Sequence, residues 1–399
     1  AYVEVRKKRG GGGVDHQSLE DFEKRLVPNL YCLWNRVCSG CYFPPPVLEV
    51  GIPKDNGKTR YLGIPTVGDR VVQQVIKTRL ETRFEALFHP SSYGYRRGRS
   101  QHDALEAVRS NCRDHWWVVD MDISAFFDNV RHDLLNLALD RHVSEPWIRS
   151  LINRWLSAPV VKENGEVHTR QGSGTPQGGV ISPLLANLFL HYVLDEWLEE
   201  QFPKAKFVRF ADDVIIHCDY YPRIKLIRKR VAERLEECGL SINEAKTQVV
   251  FCKSEGRKSD WAKVSFDFLG YRFQPRVGQS HRQNRLITIF DCAISPKSEQ
   301  KICSSLRATK FHLWHGADLQ VIADLINPRL RGWITYYGKY TPSRLSRVMS
   351  EVNDRLTKWV CGKYKSFGKS YRKAQRYLRG LAIKLPTLFY HWEKGYARS

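Results

Sequence analysis

Two adjacent carboxylates, Asp212 and Asp213, lie between two apolar runs in residues 207–217. This pattern predicts a strand, a tight turn that carries the acids, and a second strand. Burying two neighbouring negative charges is costly unless a positive group compensates them, and a divalent metal ion can do so. Carboxylate oxygens, together with water and substrate phosphates, are ligands typical of Mg²⁺. The pair therefore indicates a candidate Mg²⁺ site; the alternative is a hairpin tip exposed to solvent.

A third carboxylate ends an apolar run farther upstream. Residues 116–121 are mostly apolar, and Asp122 follows them. If Asp122 ends a strand beside the acidic turn, three carboxylates surround one site, enough for two metal ions acting on an in-line phosphoryl displacement. Asp120 shares a strand face with Asp122 because side chains two residues apart point the same way. Asp120 is thus a possible further acid outside this set.

A predicted β-hairpin over residues 47–65 supplies positive charge. Its two apolar runs flank Asp55, Asn56 and Gly57, which are residues typical of a hairpin turn. Pairing of the two strands would bring Lys54 and Arg60 near each other across the ladder. The hairpin therefore predicts a two-pronged cationic clamp; in isolation, such a hairpin could equally be an ordinary solvated one.

Two further segments have compositions suited to contact with nucleic acid. Residues 91–104 interleave aromatic side chains with arginines and glycines, which suits a strand or loop along a phosphate backbone. Residues 171–187 are rich in glycine, which permits close approach of the backbone to a base pair. Ser182 and Pro183 then begin a predicted helix.

Residues 18–38 have the helical spacing of an amphipathic helix, which indicates a packing element rather than a functional site.

Composition bounds the class of protein. A length of 399 residues is enough for two or three domains, and a hydrophobic content of 42% indicates a globular protein. The net charge of +22 indicates a polyanionic partner. A membrane surface is the competing interpretation, but no apolar run approaches the roughly 20 residues of a spanning helix. We see no secretory signal. The ten cysteines include Cys38 and Cys41 but no second pair that completes a zinc site, which indicates reduced thiols in a cytosolic protein.

The two ends of the chain are both basic. Residues 10–13 are four consecutive glycines after a basic run. This pattern predicts a loop that contacts phosphate groups; the alternative is an artificial linker. Residues 329–399 contain 17 lysines and arginines against 3 acids, a net charge of +14. Aromatic residues alternate with these charges, which indicates a helical surface for RNA or an RNA/DNA hybrid. We expect a helical second domain over roughly residues 296–399, with helices that begin near Pro296, Ala317, Asn327 and Pro342.

In this order, the segments resemble the bacterial group II intron-encoded reverse transcriptases, which are also maturases. Residues 210–213 resemble the Tyr-x-Asp-Asp box, with Phe210 in place of the usual tyrosine, and residues 177–183 have the Gln-Gly-x-x-x-Ser-Pro form. Residues 266–271 resemble the primer grip, and residues 327–333 resemble the thumb or maturase domain. We find no Cys/His nuclease module of the HNH type after them.

The resemblance implies roles for individual residues. Asp122, Asp212 and Asp213 would be catalytic and, with the backbone carbonyl of Ile123, would hold two Mg²⁺ ions, for which Mn²⁺ is a possible substitute. The residues implied in dNTP binding are Lys54, Arg60, Phe127, Gln177 and Lys246. Those implied in the primer grip are Leu269 and Gly270. Those implied in nucleic-acid binding are Arg96, Arg97, Arg99, Arg331 and Trp333. Phe127 would exclude a 2′-hydroxyl; the alternative is a plain core phenylalanine.

The resemblance also implies a fold and a domain order. The expected class is α+β, a right-hand polymerase whose fingers and palm contain antiparallel sheet, followed by a helical thumb. We expect an N-terminal extension with a template-covering loop over residues 1–26, fingers over 27–115, palm with parts of the fingers over 116–285, and a thumb or maturase domain over 286–399.

The implied function is RNA-directed DNA polymerisation, with splicing and retrohoming of a group II intron as a second role. The expected partners are an RNA template, the intron RNA, a DNA primer or target, and dNTPs, without a membrane. We expect a cytoplasmic, nucleic-acid-associated bacterial protein. Two alternatives stay open: a free-standing or defence-associated reverse transcriptase, and a chiefly non-catalytic RNA-binding splicing factor.

Overall fold

The computed structural model describes residues 1–53, 57, 59–280, 285–367 and 370–398. The chain divides into two compact units, Ala1–Val250 and Phe251–Ser399. Both contain helices and antiparallel strand pairs, so the predicted α+β class is confirmed. Within the described ranges, no helix combines the length and the apolar character needed to cross a bilayer.

The strands of the first unit form two four-stranded sheets. Their bounds are β1 (Val47–Pro53), β2 (Thr59–Ile64), β3 (Trp117–Asp122), β4 (Val160–Lys162), β5 (Val167–His168), β6 (Lys206–Phe210), β7 (Asp213–Cys218) and β8 (Gln248–Phe251). One sheet has the order β2-β1-β4-β5, with β1 and β4 parallel, and the other has the order β6-β7-β3-β8. The second sheet carries the acids, because β7 pairs antiparallel with both β6 and β3.

Helices surround these sheets. They are α1 (Tyr2–Lys7), α2 (Leu19–Lys24), α3 (Leu26–Cys38), α4 (Val67–Leu87), α5 (Gln101–Asp114), α6 (Phe126–Asn129), α7 (His132–His142), α8 (Pro146–Leu156), α9 (Ser182–Leu190), α10 (Glu196–Gln201) and α11 (Tyr221–Glu237). A π-helical turn, His191–Asp195, joins α9 to α10. Local sequence explains several boundaries: Ser100 and Asp103 form a capping box at α5, and Pro183 lies in the first turn of α9.

The second unit begins with a three-stranded sheet and continues as helices. The strands are β9 (Phe266–Phe268), β10 (Tyr271–Ser280) and β11 (Arg285–Ile294), in the order β11-β10-β9. The helices are α12 (Pro296–Thr309), α13 (Leu319–Tyr337), α14 (Ser346–Lys363), α15 (Tyr371–Lys384) and α16 (Tyr390–Glu393). Their shared core is apolar and includes the fully buried Trp359 and Phe389. Burial of such rings contributes much of the stability of a helical unit.

Two predictions of local structure need correction. The helix expected over residues 18–38 is interrupted at Arg25, whose φ of −127° and ψ of 42° leave the helical region and separate α2 from α3. The helix start expected near Asn327 is wrong because Pro328 lies inside α13, which begins at Leu319.

Candidate active site

Strand pairing brings the three predicted acids to one end of the sheet. Asp122 is the last residue of β3, and it lies directly opposite Asp213, the first residue of β7. Asp213 also pairs with Phe210 at the end of β6, so Ala211 and Asp212 form a two-residue turn between β6 and β7. The hydrophobic alternation of both strands fixes this register, because a slip by one residue would turn the apolar side chains outward.

The backbone of this turn is held in an uncommon conformation. Ala211 has a φ of +59°, in the left-handed region that costs a residue with a Cβ about 1–2 kcal/mol. Gly94 packs against it: a Cβ on Gly94 would lie 2.4 Å from the backbone nitrogen of Ala211. Residue 94 must therefore be glycine for the loop after α4 to brace the acidic turn.

A buried ion pair fixes the strand that leads into the turn. Arg209 is fully buried and its Nε donates to Asp195 Oδ1 over 2.7 Å. The same guanidinium donates to Asn187 Oδ1 over 2.9 Å and to the carbonyl of Ala211 over 3.2 Å. Asn187 in turn donates from Nδ2 to the carbonyl of Gly94 over 2.7 Å. One buried network thus connects α9 and the π turn to Ala211 in the acidic turn and to Gly94, which packs against that turn.

Burial and neighbouring carboxylates raise the pKa of two of the acids, Asp213 and Asp212. Partial burial, followed by the neighbouring carboxylates of Asp212 and Asp122, raises the pKa of Asp213 to about 7. Burial, with a further contribution from Asp122, also raises the pKa of Asp212 above its usual range. Like charges held together favour the protonated form unless a cation neutralises them. The site is therefore short of positive charge in the protein alone.

Lys246 is the cation that contacts the acids. Its Nζ lies 2.9 Å from Asp122 Oδ2. The loop that carries it is anchored to β3, because Asn243 donates from its backbone nitrogen to the carbonyl of Asp122 over 2.7 Å. In the described part of the chain, no three or more His, Cys, Asp or Glu side chains are grouped as metal ligands. A cation that binds Asp122 must therefore compete with Lys246.

A cavity of about 630 Å³ in the same unit brings together three of the residues predicted to bind a dNTP. Arg60, Phe127 and Gln177 all line it. Arg60 Nε donates to Gln177 Oε1 over 2.9 Å, although the two residues are 117 positions apart. Phe127 is 8% exposed, so its ring is both a cavity wall and part of the core.

The rest of the cavity lining is strongly cationic. Lys8, Arg70, Lys77 and Arg97 line it, and Glu81 lies among them. Glu81 is bonded to Arg97, with an Oε2 to Nε distance of 2.6 Å, and to Lys77, with an Oε1 to Nζ distance of 3.5 Å. Burial followed by the neighbouring Lys77 lowers the pKa of Lys8. The cavity therefore has an excess of positive charge, which suits a phosphate-bearing ligand.

The N-terminal glycine loop lies against this cavity. Arg70 Nη2 donates to the carbonyl of Gly11 over 2.6 Å, and Gly10 is part of the cavity lining. A Cβ on Gly13 would lie 2.6 Å from the backbone nitrogen of Thr66. The loop is thus fixed against the start of α4 rather than free, and Gly13 is needed for the close approach.

The remaining predicted residues of the first unit occupy different environments. Arg96 is bonded to Glu85, to the carbonyl of His89 and to that of Ser92, so its guanidinium holds the loop together. Arg99 lies 5.2 Å over the ring of Tyr93. Ile123 forms an isolated bridge with Ile242. Lys54 lies outside the described residues, and Ile52 pairs with Arg60 across the hairpin.

In the second unit, Leu269 and Gly270 form the two-residue turn between β9 and β10. Tyr336 Oη donates to the carbonyl of Leu269 over 2.7 Å, and Ser298 Oγ donates to that of Gly270 over 3.0 Å. A Cβ on Gly270 would lie 3.0 Å from Tyr337 Oη. The close approach that Gly270 permits is therefore to α13 of its own unit.

The two predicted nucleic-acid-binding residues of α13 differ in exposure. Arg331 is exposed, and its guanidinium lies 5.2 Å over the ring of Tyr390. Trp333 is half-buried and packs against the helical core. Arg331 thus presents charge at the surface, whereas Trp333 also has a packing role.

Sequence reasoning assigned no role to the network of Arg209, Asp195 and Asn187. One signal was present: Arg209 interrupts an otherwise apolar strand at a position whose neighbours face the interior. A charge at such a position requires a buried partner. The partner, Asp195, is 14 residues away on the π turn and could not be chosen from spacing alone.

Comparison with known families gives two matches. A model described as reverse transcriptase (RNA-dependent DNA polymerase) matches residues 52–273, more than half of the chain. A model described as group II intron, maturase-specific domain matches residues 300–378.

Individual relatives match over parts of their length. Protein YkfC of Escherichia coli strain K12 is 37% identical over 199 residues, which cover 49% of this chain and 51% of the relative. The group II intron-encoded protein LtrA of Lactococcus lactis subsp. cremoris is 36% identical over 261 residues, which cover 65% of this chain and 41% of the relative. The chain thus spans about half or less of the length of these relatives. A structure of telomerase from Candida albicans, in complex with a fragment of telomeric RNA, is 12% identical, with a TM-score of 0.47 and coverage of 96% of this chain and 68% of that one.

Proposed function

Because the chain belongs to the reverse transcriptase family and carries a group II intron maturase-specific domain, we propose that it is an RNA-directed DNA polymerase. The observation that carries this proposal is the pairing of Asp122 with Asp213 beside Asp212, three carboxylates at one sheet end in the same unit as a cationic cavity. The proposed substrates are dNTPs, a DNA primer and an RNA template.

Asp122, Asp212 and Asp213 are the residues that would hold two divalent ions, Mg²⁺ or Mn²⁺. Their oxygen-only donor set suits such ions, and burial followed by neighbouring carboxylates raises the pKa of Asp212 and of Asp213, which a bound cation would oppose. The carbonyl of Ile123 is the proposed additional ligand. Two ions held by these residues would lower the pKa of a primer 3′-hydroxyl and would neutralise charge on the leaving pyrophosphate.

The cavity residues would bind the incoming nucleotide. Arg60 would contribute positive charge for the triphosphate, with Lys54 of the same hairpin as the proposed second prong and Lys246, which contacts Asp122, as a further cation. Gln177 also lines the cavity, and its Oε1 accepts from Arg60 Nε. The ring of Phe127 would exclude a 2′-hydroxyl. Phe127→Ala should therefore raise incorporation of ribonucleotides; unchanged discrimination would assign Phe127 to the core alone.

Primer extension on an RNA template with dNTPs and Mg²⁺ tests the polymerase proposal. Asp212→Asn should reduce extension by about 10³-fold or more while RNA binding is retained, because one carboxylate ligand is lost. Asp140→Asn is the matched control: Asp140 is an exposed acid of α7 that is paired with Arg149. Extension that survives in Asp212→Asn would contradict the assignment of the acids.

A second role in intron splicing is favoured by the match of residues 300–378 to the maturase-specific domain and by the basic character of residues 329–399. Splicing of a transcript that contains the gene's own flanks, at low Mg²⁺, with and without the protein, tests it. Ligated exons that depend on the protein would support a maturase and make retrohoming the purpose of the polymerase. Extension without any effect on splicing would favour a free-standing or defence-associated reverse transcriptase.

Splicing without extension would favour the other alternative, an RNA-binding splicing factor. The raised pKa values of Asp212 and Asp213 argue against it, since a protein that only binds RNA has no need to hold three acids together.

A further inference from the structure

A chain of hydrogen bonds leads from a buried carboxylate to the backbone of the nucleotide cavity. Gln73, on α4, is 2% exposed. Its Oε1 accepts from the backbone nitrogen of Val180 over 2.8 Å and from that of Ile181 over 3.2 Å. Its Nε2 donates to Asp69 Oδ2 over 2.8 Å. The side-chain amide of Gln73 thus connects one carboxylate, through its Nε2, with one loop, through its Oε1.

Asp69 is a fixed anchor for this chain. It is 1% exposed, and its Oδ1 accepts from Tyr42 Oη and from Trp155 Nε1, both over 2.7 Å. These donors come from the segment before β1 and from α8, so Asp69 joins three parts of the unit. Because the two loop nitrogens can only donate, Gln73 must face them with its oxygen and Asp69 with its NH₂ group. The orientation of Gln73 is therefore determined from both sides.

The loop that Gln73 holds is gripped on its opposite side by β2. Gly63 donates from its backbone nitrogen to the carbonyl of Gln177 over 2.7 Å. A Cβ on Gly178, whose φ is +120°, would lie 2.5 Å from the carbonyl oxygen of Gly63. Residues 177–181 are thus clamped between β2 and α4, and the side chain of Gln177 is left to meet Arg60 in the cavity.

We propose that Gln73, oriented by Asp69, is a positioning residue that sets the affinity for the incoming nucleotide by holding residues 177–181 in place. The inference rests on the proposed polymerase function of the cavity. Gln73 is not among the residues that line the cavity: Gln177, Gly178, Gly179 and Val180 line it, and Gln73 acts through the backbone nitrogens of Val180 and Ile181 in the same loop.

The test compares two neighbouring glutamines of the same helix. Gln73→Met keeps the side-chain length but leaves two backbone nitrogens without their acceptor. Gln74→Met is the matched control, because Gln74 is also buried, at 4% exposed, and its Nε2 donates to Thr78 Oγ1 of its own helix over 3.1 Å. In single-nucleotide addition on an RNA template, Gln73→Met should raise the KM for dNTP about 10-fold and change kcat less than about 2-fold.

A second measurement does not depend on activity. Backbone hydrogen exchange of residues 177–181, measured by mass spectrometry, should be faster in Gln73→Met than in wild type and unchanged in Gln74→Met. Equal kinetic losses in the two variants, or a loss in kcat rather than KM, would overturn the positioning role. So would unchanged exchange in Gln73→Met. If the wild type extends no primer, the polymerase proposal fails instead, and exchange still decides whether Gln73 holds the loop.

Discussion

Two hairpin turns of the same length occur in the two units, and they are stabilised in different ways. The turn of Ala211 and Asp212 has a positive φ at its first position only, whereas Leu269 and Gly270 both have positive φ, +48° and +79°. The second pattern is that of a type I′ turn, which matches the twist of the flanking strands and favours glycine. The first places a residue with a Cβ in the position that glycine usually takes.

The bracing of the two turns differs as well. The acidic turn is held by the buried guanidinium of Arg209 and by the close packing of Gly94, and both act on the backbone of Ala211. The carbonyls of Leu269 and Gly270 are instead bonded to hydroxyl groups of Tyr336 and Ser298. The contacts that hold the acidic turn reach the backbone of Ala211 and leave its carboxylates for a ligand, whereas those of the other turn fix its backbone carbonyls against α12 and α13.

The largest expected effect comes from removing the brace of the acidic turn. Arg209→Met leaves Asp195 charged and buried without its partner, so the free energy of unfolding of the first unit should fall by about 3–5 kcal/mol. Urea unfolding measures this. Arg209→Met combined with Asp195→Leu should recover much of the stability but not primer extension, because the bond to the carbonyl of Ala211 stays absent. Full recovery of extension would show that the network only stabilises the fold.

The acidic turn should also couple metal binding to pH. The pKa of Asp213 is raised to about 7, and a metal binds its deprotonated form. The proton competes below pH 7, so the half-saturating Mg²⁺ concentration for extension should fall about 10-fold between pH 6 and pH 8. Asp213→Glu keeps a carboxylate and serves as the comparison. A Mg²⁺ requirement that is independent of pH would contradict the shifted pKa.

A smaller effect is expected at the other turn. Tyr336→Phe removes the hydroxyl that donates to the carbonyl of Leu269 and should lower the free energy of unfolding of the second unit by about 1 kcal/mol. If this turn is the primer grip, the Kd for primer–template should rise while the KM for dNTP stays constant. Tyr396→Phe is the control, since its hydroxyl donates to the carbonyl of Pro342 instead. Equal Kd changes in the two variants would argue against the primer grip.

The smallest effect is expected from relieving the φ of the acidic turn. Ala211→Gly removes the cost of a left-handed residue but makes the unfolded chain more flexible, so the net gain in stability should be only about 0.5 kcal/mol. Extension should fall a few-fold because the acids are held less firmly. Thermal unfolding and single-turnover kinetics measure the two effects. Higher stability together with faster extension would mean that the strained φ has no role in placing the acids.

The acidic turn could be predicted from the sequence because the two acids and the two strands that flank them are consecutive in the chain. Apolar alternation on either side of Asp212 and Asp213 determines the two strands, and their pairing needs only a two-residue turn. The third acid, Asp122, required one further step, the antiparallel pairing of β3 with β7, and the resemblance to a known family provided it. The α+β class followed from the same alternation and from the helical periodicities.

Contacts between residues far apart in the chain could not be predicted from the sequence. The bonds from Gln73 to Val180 and Ile181 span more than 100 residues, and a glutamine on a helix has many possible partners. The break at Arg25 was missed because the apolar spacing continues through it. Several apolar side chains of α3 are nevertheless exposed, among them Val27, Tyr31 and Trp34, so periodicity predicted the helix but overestimated its burial.

Counting bound metal ions shows whether Asp122, Asp212 and Asp213 form a two-metal site. Mn²⁺ binding is measured by electron paramagnetic resonance in a complex of the protein with RNA template, chain-terminated DNA primer and the next dNTP, at pH 8. The account predicts two bound ions in wild type and in Asp140→Asn, and loss or strong weakening of binding in Asp122→Asn, Asp212→Asn and Asp213→Asn. Equal Mn²⁺ binding in wild type and in these three variants would contradict it.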